Sequence, residues 1–245
     1  MLKMIDFQGV GKKYDSLTAL EPTDLRIDSG ERIALIGPSG SGKTTFINLL
    51  SGIIEPSFGT VLIGGDSLSE LKKTKQISQL VGIIQQQFDL VSHLSVIHNV
   101  NAGRLGQWSF FKSLLSLISP IGKTEVIEAL EAVGIEPKLF QRTSNLSGGE
   151  QQRVAVARVL IQDPEIVLAD EPVASLDPSR AEDLVKLLVD MVTENDKTLV
   201  ASLHKIELVK RHFTRVIGLR QGTIIFDVPV SELNEDMLSE LYSLD

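Results

Sequence analysis

The stretch RIALIGPSGSGKTTFINLL, residues 32–50, decides the fold of this chain. An apolar run that predicts a buried strand leads into a glycine-rich loop, residues 37–44, and then into a segment with large apolar residues at helical spacing. The loop matches the pattern G-x-x-x-x-G-K-[ST] in the strand–helix context that this motif requires. Glycines let the backbone curl so that successive N–H groups point inward at oxygen atoms. The stretch therefore predicts a nucleotide-binding loop in an α/β protein.

The residue types of this loop each suit one part of a nucleotide. Lys43 is expected to reach the β- and γ-phosphates, and the hydroxyl of Thr44 to bind Mg²⁺. An ordinary glycine-rich turn is the alternative, and the strand–helix context argues against it. The predicted ATP-binding residues here are Gly37, Pro38, Ser39, Gly40, Ser41, Gly42, Lys43, Thr44 and Thr45.

Two carboxylates follow the apolar run IVLA, residues 166–169. The carboxyl ends of strands are where ligands collect in α/β sheets, so both side chains are expected near the phosphates. Asp170 is predicted to hold Mg²⁺ directly or through water, and Glu171 to orient or deprotonate an attacking water. A polar strand end that simply meets solvent is the alternative interpretation.

A second glycine motif, LSGGEQQRVAVAR, spans residues 146–158. Ser147 stands three residues before Glu150, which is the spacing of a capping box, so an ordinary capped helix is one explanation. A cap does not require Gly148 and Gly149, whereas close approach of a phosphate to the backbone at a helix N-terminus does. Ser147, Gly148, Gly149 and Glu150 are therefore predicted to form a second phosphate-binding site.

Composition limits the possible functions. The 245 residues allow one or two domains, and the net charge of −8 argues against a general affinity for nucleic acid or anionic lipid. The absence of cysteine excludes disulfides, thiolate metal sites and a cysteine nucleophile. The longest apolar runs fall far short of the ~18 residues that a membrane span needs, so any membrane role would depend on a partner.

The hydrophobic pattern predicts one structural unit with two lobes. The chain starts with strand-like alternation, continues as alternating strands and helices, and turns helical from about residue 90 to 145. Among the later helices, the clearest are expected at residues 150–161 and 180–192. We expect residues 1–89 and 146–245 to form a core with an antiparallel β part, and residues 90–145 to form a helical subdomain. The acidic segment from residue 231 predicts an amphipathic helix with Leu233, Met237, Leu238 and Leu241 inward.

The motifs GPSGSGKT, LSGGEQ and VLADE, in this order and spacing, resemble the ATP-binding subunits of ABC transporters over nearly the whole chain. The resemblance implies an α/β fold of the P-loop NTPase, ABC type. Its parts would be a mixed, largely parallel sheet, an N-terminal antiparallel β subdomain and an inserted α-helical subdomain. It also implies that two copies meet head to tail, with each ATP between the phosphate loop of one copy and the LSGGEQ motif of the other.

The same resemblance implies roles for four further residues. Tyr14 would stack on adenine, Asp177 would lie in the loop that crosses the dimer interface, and His204 would contact the γ-phosphate. Gln86 would reach Mg²⁺ and the attacking water. The chain has QQQ at residues 85–87, where an apolar residue commonly precedes the functional glutamine, and counting back from FDL selects the middle one. The plain alternatives are packing for the tyrosine and a structural role for the histidine.

Two stretches, NAGRLGQWSFFKSLLSLISP and LHKIELVKRHFTRVIGLRQGTIIFDVPVSEL, resemble the ATPases of phosphonate importers, whose members also carry LADEPVASLDP much as this chain does. That resemblance implies a second copy of the chain, integral membrane permease subunits and, indirectly, an extracytoplasmic substrate-binding protein. The chain would then bind the cytoplasmic face of the cell membrane, with ATP and Mg²⁺ as cofactors and no nucleic acid. The aromatic residues Trp108, Phe110 and Phe111 are expected in the core of the helical lobe, or else on a surface that docks onto a membrane subunit.

Other functions stay open. An ABC ATPase could serve another oxyanion, an amino acid or a lipid export system. A soluble ABC ATPase of DNA repair or translation would be expected to carry two nucleotide domains or long inserted arms. A P-loop kinase would not need LSGGEQ, and a GTPase would be expected to carry an [NT]-K-x-D element, which we do not find in the sequence.

Overall fold

The computed structural model describes residues 5–74, 76–118, 121–174 and 176–243. The strands are β1 Ile5–Tyr14, β2 Leu17–Ile27, β3 Arg32–Ile36, β4 Phe58–Ile63, β5 Asp66–Ser67, β6 Val81–Ile84, β7 Ile166–Ala169, β8 Thr198–Ser202, β9 Arg215–Arg220 and β10 Thr223–Pro229. The α-helices are α1 Lys43–Leu50, α2 Leu68–Lys73, α3 Ile77–Leu80, α4 Val96–Asn101, α5 Phe110–Ile118, α6 Lys123–Ala132, α7 Gly148–Gln162, α8 Pro178–Glu194, α9 Ile206–His212 and α10 Glu235–Tyr242.

A six-stranded sheet carries the site, with the strand order β10-β9-β3-β8-β7-β6. The strands from β9 to β6 are parallel, and β10 pairs with β9 in the antiparallel direction. All residues of β7 and β8 are buried, which explains their nearly continuous apolar sequences. Parallel strands end at the same edge, so the loops after β3, β7 and β8 meet there.

A smaller antiparallel sheet, in the order β2-β1-β4-β5, covers α1. The rings of Phe7 on β1 and Phe46 on α1 lie with centroids 5.0 Å apart. Phe46, Ile47, Leu49 and Leu50 are fully buried in a core shared by this sheet and by β3. The helix that follows the phosphate loop is therefore fixed on both sides.

Between β6 and α7 the described residues form helices and short turns. Helices α4 and α6 pack against α7, and buried residues such as Val100, Leu130 and Val154 join the core on that side. The predicted fold class, with an antiparallel β part and an inserted helical part, agrees with this architecture. The exact boundary of the helical subdomain stays a prediction.

The aromatic segment before and within α5 differs from the expected core packing. Phe111 is 81% exposed, so the core interpretation is wrong for this residue. Trp108 is partly buried, and the ammonium group of Lys112 lies 5.0 Å from the centroid of its ring. The side chain of Phe110 and residues 119–120 lie outside the described part of the chain.

The predicted C-terminal amphipathic helix is confirmed as α10, except that Leu233 precedes the helix, whose N-cap is Asn234. Leu233 and Leu241 are buried, and Met237 and Leu238 are partly buried. In the part of the chain that the structure describes, no helix has the length and apolar character to cross a membrane.

Candidate functional site

A cleft of about 730 Å³ opens where the parallel strands end. Its walls come from the β1–β2 hairpin, the phosphate loop and first turn of α1, the segment after β6, the segment after β7 and the β9–β10 turn. The lining residues are Tyr14, Leu17, Thr18, Ala19, Ser39, Gly40, Ser41, Gly42, Lys43, Thr44, Thr45, Gln86, Glu171 and Gln221. Gly37 and Pro38 continue the loop just outside this lining.

The phosphate loop adopts a conformation that only glycine suits at two key points. Gly37 and Gly42 have φ angles of +149° and +107°. A Cβ atom on Gly37 would lie 2.0 Å from the carbonyl oxygen of Leu219, and one on Gly42 would lie 2.6 Å from that of Ala19. Backbone carbonyl groups of Leu219 and Ala19 thus occupy the space beside these two glycines. The loop can therefore contact a ligand only on the side that faces the cleft.

Lys43 folds back over the loop. Its Nζ donates to the carbonyl oxygens of Gly37, at 2.9 Å, and Pro38, at 3.0 Å. The side chain is almost fully buried, and burial lowers the pKa of Lys43, against the opposing effect of the carboxylates of Glu171 and Asp170. The ammonium group thus stands at the base of the loop with negative charge nearby.

Asp170 is buried and held by β8. The hydroxyl of Ser202 donates to Oδ1 of Asp170 at 2.7 Å, and accepts from the backbone N–H of Glu171 at 2.7 Å. One serine therefore orients both consecutive acidic residues. Sequence reasoning missed Ser202, because a serine at the end of a strand belongs to no motif.

Glu171 stands between two of the other predicted catalytic residues. Its Oε2 accepts from Nε2 of Gln86 at 3.0 Å, and its Oε1 lies 2.7 Å from Nε2 of His204. Its backbone has φ +49°, a conformation uncommon for residues other than glycine. The structure thus brings together side chains from three separate loops.

The structure also distinguishes among the three consecutive glutamines. Gln86 lines the cleft and contacts Glu171, whereas Gln85 and Gln87 do not line it. Tyr14 lies at the other end of the cleft, half-exposed, with Nζ of Lys12 5.0 Å from the centroid of its ring. An exposed aromatic face at this position can stack on a planar ligand.

The donors that could hold a metal ion are Thr44, Gln86 and Asp170. A hydroxyl, an amide and a carboxylate are hard oxygen donors, which suit Mg²⁺. Within the described residues there is no group of three or more acidic or histidine side chains placed to hold a metal by themselves. Mg²⁺ sites in nucleotide enzymes commonly combine one or two protein ligands with substrate phosphates.

The LSGGEQ motif lies outside the cleft. Ser147 caps α7: its Oγ accepts from the N–H of Glu150 at 3.4 Å, and its own N–H donates to Oε2 of Glu150 at 2.8 Å. The predicted capping box is therefore real. Gly148 has no positive φ, and a Cβ atom on it would meet nothing within 4 Å, so nothing within the described chain requires glycine there.

Asp177 is the N-cap of α8 and also lies outside the cleft. Its Oδ1 accepts from the N–H of Arg180 at 3.1 Å, and its Oδ2 lies 3.3 Å from Nε of Arg180. Ser175, which opens the SLD motif, falls outside the described residues. Further cleft residues that sequence reasoning missed are Leu17, Thr18, Ala19 and Gln221, which the fold brings from the β1–β2 and β9–β10 hairpins.

Comparisons with known proteins place this chain in a family. The ABC transporter family profile matches residues 20–174. The chain is 44% identical over 231 residues to the phosphonates import ATP-binding protein PhnC 1 of Pseudomonas syringae pv. syringae, covering 94% of this chain and 87% of that protein.

A second relative is longer, and a solved structure supports the fold. The phosphonates import ATP-binding protein PhnC of Anaeromyxobacter dehalogenans is 43% identical over 240 residues, and the chain spans 48% of its length. A solved ATP-binding cassette, in a dimeric post-hydrolysis state bound to ADP and Pi, is 29% identical with a TM-score of 0.82. That match covers 92% of this chain and 98% of the cassette, and it confirms the predicted fold.

Proposed function

We propose a function from one established premise: this chain belongs to the ABC transporter family. It is the ATP-binding subunit of a membrane importer, and it hydrolyses ATP to drive uptake. The observation that carries the proposal is the meeting of Glu171, Gln86 and His204 beside the phosphate loop. Such a set suits ATP hydrolysis, because a carboxylate next to the γ-phosphate can orient or deprotonate the attacking water.

ATP fits the cleft with its triphosphate on the loop. Backbone N–H groups of residues 39–45 and the ammonium group of Lys43 receive the phosphates, and Tyr14 stacks on the adenine. Lys43 then exchanges its contacts with the Gly37 and Pro38 carbonyls for phosphate oxygens. Thr44, Asp170 and Gln86 hold Mg²⁺, which when bound neutralises charge on the β- and γ-phosphates.

Hydrolysis uses the residues around Glu171. Its carboxylate orients a water and accepts its proton, while Gln86 and His204 fix the carboxylate from two sides. Ser202 holds the backbone of Glu171 and the side chain of Asp170, so neither must reorganise during the reaction. His204 also reaches the γ-phosphate.

The LSGGEQ motif acts on the ATP bound by a second copy of the chain. Gly148 is exposed to solvent, and no neighbouring atom in its own chain requires a glycine at this position. We therefore attribute the glycine to the close approach of a phosphate bound to the second copy. The N-terminus of α7 offers N–H groups and a positive dipole end to that phosphate. Ser147, Gly149 and Glu150 complete this surface, and Asp177 crosses between the two copies.

Phosphonates are the proposed cargo class. The support is the relatives' names, since two proteins more than 40% identical to this chain are called phosphonates import ATP-binding proteins. The chain then works at the cytoplasmic face of the membrane with permease subunits and, through them, an extracytoplasmic binding protein. Import of another oxyanion is the second candidate, because the cargo never touches this subunit.

The ATPase mechanism can be tested with Glu171→Gln. This variant should bind ATP, lose turnover by about 10²–10⁴-fold, and accumulate as an ATP-bound dimer. Phosphate release and light scattering with ATP and Mg²⁺ measure both effects. Glu165→Gln, an exposed carboxylate just before β7, is the matched control and should behave as wild type. A Glu171→Gln variant that stays monomeric, or that keeps its turnover, would refute the assigned role.

The cargo can be tested by growth. Cells that lack this chain should fail to use a phosphonate as their phosphorus source, and the wild-type chain should restore growth while Lys43→Ala should not. Growth on inorganic phosphate is the control. Restored uptake of a different oxyanion, with no effect on phosphonate, would favour the second candidate.

A further inference from the structure

The short segment that carries Gln86 is fixed at its start and turns sharply at its end. At the start, the carbonyl oxygen of Ile84, the last residue of β6, accepts from the N–H of Asp170 at 2.8 Å. At the end, Phe88 and Asp89 both have positive φ angles, +58° and +44°. Residues other than glycine adopt such angles at a cost, so contacts with the surrounding chain are needed to maintain this turn.

Arg158, on helix α7, makes those contacts. Its Nη1 donates to the carbonyl oxygen of Asp89 at 2.9 Å, and its Nη2 donates to that of Phe88 at 3.0 Å. Two nitrogens of one planar guanidinium thus hold two consecutive carbonyl groups, which suits the rigid fork of arginine better than a lysine ammonium. Hydrogen bonds from a charged donor are also stronger than those between neutral groups.

The position of Arg158 is itself well determined. Its neighbours on α7, Ala157 and Val159, are buried in the main core. A Cβ atom on Gly103, in the turn after α4, would lie 2.3 Å from the carbonyl oxygen of Arg158 and 3.3 Å from its Cγ. The base of the arginine side chain is therefore packed closely, and its guanidinium group reaches the segment after β6 from a fixed point.

Gln86 lies two residues after Ile84 and two residues before Phe88, between the two fixed ends of the segment. Its Nε2 donates to Oε2 of Glu171 at 3.0 Å. We propose that Arg158 is a positioning residue for hydrolysis, which holds the turn at residues 88–89 and thereby places the amide of Gln86 against Glu171. The inference rests on the proposed ATPase function and goes beyond it, since Arg158 does not line the nucleotide cleft.

The physical reason is that a group held in place before the reaction does not have to be ordered during it. Without the guanidinium, the turn at residues 88–89 loses its two hydrogen bonds and relaxes. Gln86 then moves away from Glu171, and the carboxylate keeps only its contact with His204. Arg158→Met should therefore lower kcat by about tenfold to a hundredfold, which is the usual effect of removing a partner that orients a ligand or reacting group. Arg158→Lys keeps a charged donor and should lose less.

The first test separates binding from turnover. Steady-state phosphate release measures kcat, and calorimetric titration without Mg²⁺ measures ATP affinity. Arg158→Met should bind ATP as tightly as the wild-type chain does, because the phosphate loop is unchanged, while its kcat falls. An unchanged kcat, or an ATP affinity that falls as much as kcat does, would overturn the inference.

Arg153→Met is the matched control, because Arg153 lies on the same helix and its Nη1 also donates to a backbone carbonyl, that of Val133. This variant loses a comparable contact of α7 that does not involve the segment after β6. It should keep the wild-type kcat. A loss of kcat equal to that of Arg158→Met would mean that any weakening of α7 slows turnover, and the assigned role would be wrong.

A double-mutant cycle tests whether Arg158 acts through Gln86. Gln86→Ala alone should lower kcat, and adding Arg158→Met should then lower it little further, because no amide remains to be positioned. Effects of two independent residues would instead multiply. Multiplied losses, or a Gln86→Ala variant with the wild-type kcat, would overturn the inference.

Glu171→Gln, measured in the same assay, distinguishes this failure from failure of the proposed function. If Glu171→Gln is inactive while Arg158→Met turns over normally, only the role of Arg158 is wrong. If Glu171→Gln hydrolyses ATP at the wild-type rate, the proposed function itself fails.

Discussion

At the scale of single residues, Glu171 illustrates how the fold stabilises an unusual backbone conformation at the candidate site. Its backbone lies in the left-handed region, and Pro172 follows it, which further restricts the backbone before the proline. The hydroxyl of Ser202 accepts from its N–H, and Gln86 and His204 contact its carboxylate. Conformations of this kind persist only where the surroundings fix them, and they are common at functional sites.

The sequence could identify the acidic pair but not the residue that orients it. Asp170 and Glu171 follow an apolar strand in a recognisable motif. Ser202 reaches them only because β8 lies parallel to β7, with Ala201 opposite Ala169, so that the next residues of both strands meet. Which strand neighbours which is a property of the sheet order, and no local pattern in the sequence contains it.

Lys43 leads to a prediction about pH. Burial lowers its pKa in the free protein, and the negative charge of a bound triphosphate should raise it again. The amine of Lys43 therefore binds its proton more tightly in the ATP complex than in the free protein. ATP affinity should fall as the pH rises above the lowered pKa, by up to about tenfold per pH unit, until the pKa of the complex is reached.

Calorimetric titrations of ATP at increasing alkaline pH would measure this fall. The useful range lies well above the second pKa of a phosphate group, near 6, so that the nucleotide itself does not titrate. Lys43→Arg is the control, because a guanidinium stays protonated and its ATP affinity should be flat over the same range. If ATP affinity changes with pH in the same way in the wild-type chain and in Lys43→Arg, Lys43 does not contact the phosphates.

At the scale of elements, the helix boundaries were predictable wherever a cap has its own sequence signature. The expected helix at residues 150–161 is observed as α7, which begins directly after its capping box at Ser147. The expected helix at 180–192 is observed as α8, whose first residue is Pro178 and whose cap is Asp177. Both helices begin slightly earlier than the apolar pattern indicated, because caps precede the first buried residue.

Helix α5 shows where pattern reasoning fails. Large apolar residues favoured a core position, yet Phe111, Leu114 and Leu115 are exposed on α5. The apolar pattern of a helix fixes which residues share a face. It does not say whether another part of the same chain covers that face, because that depends on where the helix lies in the fold.

Helix α7 allows a substitution with opposite effects on stability and function. Gly148 has ordinary helical geometry, and an added Cβ would meet nothing. Gly148→Ala should therefore stabilise the isolated chain by a few tenths to about 1 kcal/mol. It should also reduce ATP-dependent dimerisation and turnover, because the new methyl group would occupy the space that a phosphate from the second copy approaches.

Urea unfolding and ATPase measurements on the same preparation would test both effects. Gly149→Ala is an informative comparison, since its Cβ would lie 2.9 Å from Cδ2 of Leu176 in the same chain. That variant should gain less stability than Gly148→Ala, because the side chain of Leu176 must shift to make room for the new methyl group. Full ATPase activity in Gly148→Ala would mean that no phosphate approaches this glycine closely.

At the scale of the whole molecule, the nucleotide cleft and the LSGGEQ motif are separate surfaces of one chain. Ser147 and Gly148 do not line the cleft, although both motifs suit phosphate. A solved dimeric cassette of similar fold supports the view that such chains pair. If each ATP contacts both motifs, the two must come from different copies, and two distinct defects should then complement each other.

Lys43→Ala damages only the phosphate loop, and Ser147→Arg only the LSGGEQ surface, so each variant alone should be inactive. A mixed dimer contains one site built from the intact loop of one copy and the intact LSGGEQ motif of the other. Random pairing makes half of the dimers mixed, each with one of two sites intact, so an equimolar mixture should recover about a quarter of the wild-type rate if the sites act independently. Phosphate release measures the recovery. The control is a mixture of Lys43→Ala with Glu171→Gln, in which both defects lie in the cleft. In a mixed dimer of these two variants, the site with an intact loop lacks its catalytic carboxylate. Recovery with the first pair and none with the second is the outcome that two shared sites require, whereas two motifs acting on the same ATP within one chain would give no recovery with either.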